Sequence, residues 1–188
     1  MRRFTLNKLR NFVLISLFAA LASVGAFIHI PVPVVPFTLQ FLFTMLAGLL
    51  LGGRLGAVSV LVYILIGPLG APVFAGGGGP AYVLQPTFGY LLGFSAGALA
   101  TGVIANRDPH PTMRRLLAAN FTGLGIVYAF GMLYYWLIST FYTGRGIGLW
   151  PLFLYCFILA VPGDAVLCIV AAVIAKRLIP ARSAIVSR

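Results

Sequence analysis

The chain is 188 residues long, 61% hydrophobic and 8% charged, with 13 Lys and Arg against 2 Asp and Glu and a net charge of +11. Soluble domains carry about 25% charged residues, so this composition and the strongly positive mean hydropathy exclude a water-exposed globular domain and imply an integral membrane protein. The length suits one membrane domain over residues 1–188. The basic residues sit at the ends of apolar segments with no polar-interleaved patch, which excludes nucleic acid and leaves membrane lipid as the surrounding partner.

The first apolar segment runs near residues 12–30. Its basic flank and the stretch "FVLISLFAALASVGA" also resemble a signal peptide, but the apolar run continues past Ala26 to about Ile30, which suits a retained span. The uncharged connection "HIPVPVVPFTLQ" leads to segments near 39–52 and 55–66. Both are shorter than the roughly 20 residues that a spanning helix needs, so they are expected to be extended by their flanks, less tilted or partly re-entrant. A second uncharged connection, "GPLGAPVFAGGGGPAYVLQPTFGY", leads to a segment near 88–105. The polar loop "NRDPHPTMRR" precedes a segment near 116–141, and the last runs near 149–178.

With the amino terminus in the cytoplasm, Arg2, Arg3, Lys8, Arg10, Arg54, Arg107, Arg114, Arg115, Lys176, Arg177, Arg182 and Arg188 all fall inside and Arg145 alone falls outside. The positive-inside rule yields that alternation only for an even number of crossings. The expected fold is therefore all-α, with six transmembrane helices and both termini cytoplasmic. Proline and glycine in the outer connections cannot continue helices, and irregular backbone at membrane depth is tolerated where it lines a cavity. Those connections are expected to cap a pocket at the outer face.

Enzyme chemistry finds no constellation. There is no G-x-x-x-x-G-K-[ST], and Gly76 to Gly79 have no lysine behind them. Gly93-Phe94-Ser95-Ala96-Gly97 matches G-x-S-x-G, but within an apolar segment this spacing reads as small-residue helix packing, as do Gly48 and Gly52. Cys156 and Cys168 lie twelve residues apart on one expected helix, too far to bridge, and no nearby His or acid completes a metal set, so no metal site is expected. His29 beside Pro31 reads as structural, and the Asn120-Phe121-Thr122 sequon lies within a membrane segment. No cofactor is implied.

One residue resists this apolar reading. Asp164, in "AVPGDAV", is one of two acids, and a charged Asp at a helix centre costs about 2.5–3.5 kcal/mol on insertion scales. A hydrogen bond to a charged group returns roughly 1.5–3 kcal/mol, so one good donor set offsets the cost. Pro162 and Gly163 are expected to kink the helix beside it. A pocket carboxylate waiting for N–H donors is one reading, and an acid satisfied by neighbouring backbone at a helix interface is the other.

The ordered series "VPFTLQ", "LAGLLLGGRLGAVSVLVY", "GAPVFAGGGG", "PTFGYLLGF" and "VPGD", spread from about Phe12 to Leu178, resembles the BioY family, the biotin-specific S-components of energy-coupling factor (ECF) transporters. The resemblance implies a multi-pass protein of the prokaryotic plasma membrane that captures biotin from outside as cargo. It also implies partners: a transmembrane coupling subunit and two cytoplasmic ATPases. By the resemblance the final-helix acid is Asp164 and the Tyr of the "GGY" motif is Tyr90. Gln40, Phe74 and Phe88 from the same motifs, with Tyr82 and Gln85 between them, complete the expected ligand set. Small residues on the first helix, Ala19, Ala22, Ser23 and Ala26, would meet the coupling subunit or pack on the protein's own helices. Where the family commonly carries a Lys three residues after the acid, this chain has Leu167, so the ligand's ring end is expected to dominate recognition and Leu167→Lys to favour free biotin. A biotin relative without a free carboxylate, or a membrane assembly role without transport, are the alternatives.

Overall fold

The computed structural model describes residues 2–30, 36–144 and 146–186, and these are all-α apart from one pair of two-residue strands. Helix α1 (Arg2–Phe27) leads into β1 (His29–Ile30), which pairs antiparallel with β2 (Phe37–Thr38), His29 opposite Thr38. Helices α2 (Gln40–Leu51), α3 (Gly53–Ile66) and α4 (Phe88–Ala105) follow. Helix α5 (Met113–Leu137) continues as a π-turn over Ile138–Tyr142. Helix α6 (Leu149–Phe153) runs into a second π-turn, Leu154–Ile158, and α7 (Val161–Val186) closes the chain.

Local chemistry explains where the helices depart from the expected bounds. The apolar run at Ile28–Ile30 ends α1 by entering the strand pair instead of prolonging the helix. Thr112, after Pro111, caps α5 by accepting from the Arg115 N–H at 3.3 Å, so the helix begins before the expected 116 and takes Arg114 and Arg115 into its first turn. At Pro162 the final helix breaks outright: a turn at 159–160 separates the π-turn from α7. Proline is thereby placed in a first turn, where its missing N–H removes no intrahelical bond.

Four helical stretches, Lys8–Phe27, Phe88–Ala105, Met113–Tyr142 and Leu149–Pro180, are long and apolar enough to cross a membrane. Helices α2 and α3, with 12 and 14 residues, reach only about 18 and 21 Å at 1.5 Å per residue, against a hydrocarbon core of about 30 Å. They form a hairpin turned at Gly52, whose φ of +87° favours a residue without Cβ. The arms nearly touch: a Cβ on Gly56 would stand 2.7 Å from the Gly48 Cα. Their missing length is made up on one side by β1–β2 and the 67–87 connection, so irregular backbone lies where a full-length helix would have been.

Small residues set the remaining contacts. A Cβ on Gly93 would lie 2.8 Å from the Val127 Cα, and one on Gly97 would lie 3.0 Å from the Gly123 carbonyl oxygen. Ser95 donates to the Ala57 carbonyl at 3.3 Å. The G-x-S-x-G match is thus a packing seam on α4. Ala19, Ala22 and Ala26 turn into the bundle and are buried, and Ser23 donates to its own helix at Ala19. Ala19, Ala22 and Ala26 thus pack inside the bundle and Ser23 is half-buried, while Leu9, Phe12, Val13, Leu17, Val24 and Phe27 are exposed apolar side chains of α1.

One end of the bundle is joined by Asn106 donating to the Leu49 carbonyl at 3.3 Å and Lys176 donating to the Pro111 carbonyl at 2.8 Å. The helix directions bring the start of α1 and the end of α7 to this same end, with Arg54, Arg107, Arg114 and Arg115. Arg145 lies outside the described residues.

Candidate functional site

The opposite end holds a cavity under the two uncharged connections. Its wall is built from Pro36 to Thr38 of the first connection, Ala75 and Tyr82 of the second, the starts of α2 and α4, Val127 and Tyr128 of α5, and Ala160 and Asp164 at the start of α7. The short α2–α3 hairpin makes this possible, because α2 with 12 residues starts well below the ends of its longer neighbours and leaves the space above it to connections.

The connections are tied down by hydrogen bonds. Gln40 donates to the Tyr63 hydroxyl at 2.6 Å, and Tyr63 donates to the Val73 carbonyl at 3.2 Å. One buried tyrosine thus joins α2, α3 and the second connection. Gly79 N–H bonds the Gly67 carbonyl at 2.8 Å, Phe74 and Gly77 exchange two backbone bonds, and Tyr134 donates to the Val83 carbonyl. Phe74 is buried with its ring 4.5 Å from Tyr82 and 5.3 Å from Tyr63, so it props Tyr82 from behind. The aromatic ring of Phe37 packs where a Gly163 side chain would stand, which seats the first connection on the start of α7.

At the floor, Tyr128, 2% exposed, donates to Asp164 Oδ2 at 2.7 Å. Its ring meets Tyr90 edge-on at 5.7 Å and Phe157 edge-on at 5.3 Å. Tyr90 donates to the Cys156 carbonyl at 3.0 Å, inside the second π-turn. Gly131 leaves the room that the Tyr90 ring fills. Asp164 is partly buried in the first turn of α7, where the helix dipole favours negative charge. Higher in the wall, burial pushes the pKa of the Tyr82 phenol up more than the bonds it accepts from the Gly76 N–H and the Thr87 hydroxyl bring it down, so the phenol stays neutral at physiological pH.

The proton inventory of the floor follows. A tyrosine has one hydroxyl proton; Tyr90 has given its proton to a carbonyl and Tyr128 to a carboxylate. What remains towards the cavity is acceptor capacity: Asp164 beyond the Tyr128 bond, and the Tyr90 oxygen. The apolar walls come from Phe41, Leu91, Phe94 and Val127. Asp164 is the single acid, and no Lys, Arg or His is among the described residues of the wall. Among the described residues no three metal-ligating side chains come together.

Of the residues singled out in the sequence, Asp164, Tyr90, Tyr82 and Gln40 meet at this wall. Phe74 stands one layer behind, Phe88 is buried against Tyr134 at 6.0 Å, and Gln85 is exposed past the short 3-10 helix (Pro80–Leu84). None of those three lines the cavity, because motif neighbours point to different sides of the backbone. Leu167, 7% exposed, belongs to the core and also lies off the wall. The sequence reading missed Tyr128, whose one signal was a hydroxyl-bearing side chain within an apolar helix.

A BioY family model matches residues 1–184. A protein of Lysinibacillus sphaericus named as a probable biotin transporter BioY is 48% identical over 168 residues, 89% of this chain and 86% of that one. A Pyrococcus horikoshii protein of the same name is 37% identical over 172 residues, covering 91% and 97%. A crystal structure described as the S-component for biotin from an ECF-type ABC transporter superposes with a TM-score of 0.75 at 25% identity, covering 92% of each chain.

Proposed function

Because this chain belongs to the BioY family, a family of multi-pass membrane transporter components and not of enzymes, we propose that it is the substrate-binding subunit for biotin uptake and that the cavity beneath the two uncharged connections is its biotin site. The observation that carries the assignment is the acceptor-only floor. Biotin's ureido ring presents two N–H donors, and Asp164 and the Tyr90 oxygen offer two acceptors whose neighbouring protons are already engaged. The ureido carbonyl needs a donor, which the Tyr82 hydroxyl supplies. Phe41, Leu91, Phe94 and Val127 suit the thiolane ring and the methylene arm, and the carboxylate stays at the mouth.

In this reading biotin is cargo and no cofactor takes part. The chain sits in a prokaryotic plasma membrane with the cavity facing outward and the basic end in the cytoplasm. Without a P-loop it depends on an ECF coupling subunit and two ATPases to energise uptake, and the lipid-facing side of α1 is the surface left for the coupling subunit.

The experiment is thermal unfolding of the purified chain with biotin and with lipoate, which shares the five-carbon acid arm but lacks the ureido group. Ligand that binds only the folded state stabilises it by mass action, about 2.7 kcal/mol at a hundred times Kd. Biotin is expected to raise Tm and lipoate to leave it unchanged. Equal shifts with both would remove the ureido group from recognition and the proposal with it.

A further inference from the structure

We infer that Tyr128 is a positioning residue for the ligand: it fixes the Asp164 carboxylate so that one edge faces the cavity as an acceptor, and it acts on biotin only through that acid. The inference rests on the reading of Asp164 as a ring acceptor and adds to it a residue that no motif carries.

Three observations support it. The Tyr128 hydroxyl sits 2.7 Å from Asp164 Oδ2, so one carboxylate oxygen is held and the side chain cannot swing freely about its Cβ. The phenol itself is immobile, being 2% exposed and gripped edge-on by Tyr90 at 5.7 Å and Phe157 at 5.3 Å. Finally, the hydroxyl proton has one place to go, because an ionised carboxylate only accepts. Tyr90 makes the matching connection to the π-turn before α7. The two tyrosines thus fasten both sides of the break at 159–160, and the acid that follows the break is presented from a fixed platform.

The prediction separates this role from mere packing. Tyr128→Phe keeps the ring and its edge-on contacts while removing the hydroxyl, and it is expected to weaken biotin binding about tenfold, the scale of one hydrogen bond to a charged group. Since Tyr128 works through the acid, the double variant Tyr128→Phe/Asp164→Asn should bind no more weakly than Asp164→Asn alone; independent effects would multiply. A spectroscopic readout is available because the chain has only two acidic side chains, Asp108 and Asp164. Infrared difference spectra, with minus without biotinamide, should contain a carboxylate band that is absent in Asp164→Asn and displaced in Tyr128→Phe. Biotinamide avoids a carboxylate on the ligand.

Titration of the four purified full-length proteins in nanodiscs, with these spectra, decides the matter. Biotin affinity in Tyr128→Phe within twofold of wild type, or a multiplicative double variant, would overturn the positioning role while Asp164 kept its own. Unchanged affinity in Asp164→Asn would overturn both.

Discussion

A carboxylate whose nearest donor is a buried phenol, with no cation among the described wall residues, has consequences for which end of a ligand is read. If recognition is by the ureido ring, neutralising the acid arm removes no ion pair. Biotinamide is therefore expected to bind within about threefold of biotin, well below the tenfold that a single 1.4 kcal/mol contact gives. Competition titration measures this, and strong discrimination against the amide would mean that a cation outside the described residues, such as Arg145, reaches the site. Position 167 lies off the cavity wall. Leu167 is packed in the core, so Leu167→Lys is expected to lower Tm, at a cost of about 2.5–3.5 kcal/mol for a lysine at membrane depth, instead of selecting for free biotin. Asp164 was legible because an acid within an apolar run needs partners, whereas Tyr90, Tyr82 and Gln40 were reached only through the resemblance of the surrounding motifs to the family. Tyr128 was not, because its partner lies 36 residues away and only the packing of α5 on α7 brings the two together.

Among the elements, the α2–α3 hairpin sets the depth of the cavity floor, and its two helices approach closely because Gly48 and Gly56 face each other. A Cβ at Gly56 would overlap the α2 backbone, and backbone cannot rotate away as a side chain can. Gly56→Val is accordingly expected to destabilise the fold by about 1–3 kcal/mol, the range for overpacking, read as a lower Tm with biotin absent. An unchanged Tm would show that the hairpin is not held as described. Chemistry near a boundary decided whether it could be read. Helix α4 was legible to the residue, since Pro86 precedes it and Asn106 ends it. The end of α1 was not, because Ile28 and Ile30 are as suited to a strand as to a span. The break before Asp164 was expected only as a kink, since a π-turn leaves no mark in a uniformly apolar sequence.

For the molecule as a whole, the distribution of charge and the direction of the helices together assign the faces. Arg54, Arg107, Arg114, Arg115 and Lys176 gather at the end away from the cavity, and under the proposed function the positive-inside rule puts that end in the cytoplasm. Cysteines introduced at Gly78 and Gly144 should react with an impermeant reagent added outside intact cells, and one at Pro109 only after the membrane is opened. Reaction of position 109 from outside would invert the arrangement and close the cavity to external ligand. The class of fold was legible from composition alone. The short hairpin was legible as a shortage of apolar residues, though not as the reason a cavity exists. Asp164 as the acceptor for biotin is tested most directly by calorimetric titration of biotin into the wild-type chain and Asp164→Asn. Asparagine keeps the size but replaces one acceptor oxygen with a donor. Wild type should bind one biotin per chain, and Asp164→Asn should lose about 1.5–3 kcal/mol, roughly 10- to 150-fold in Kd. Equal affinity in the two proteins would contradict it.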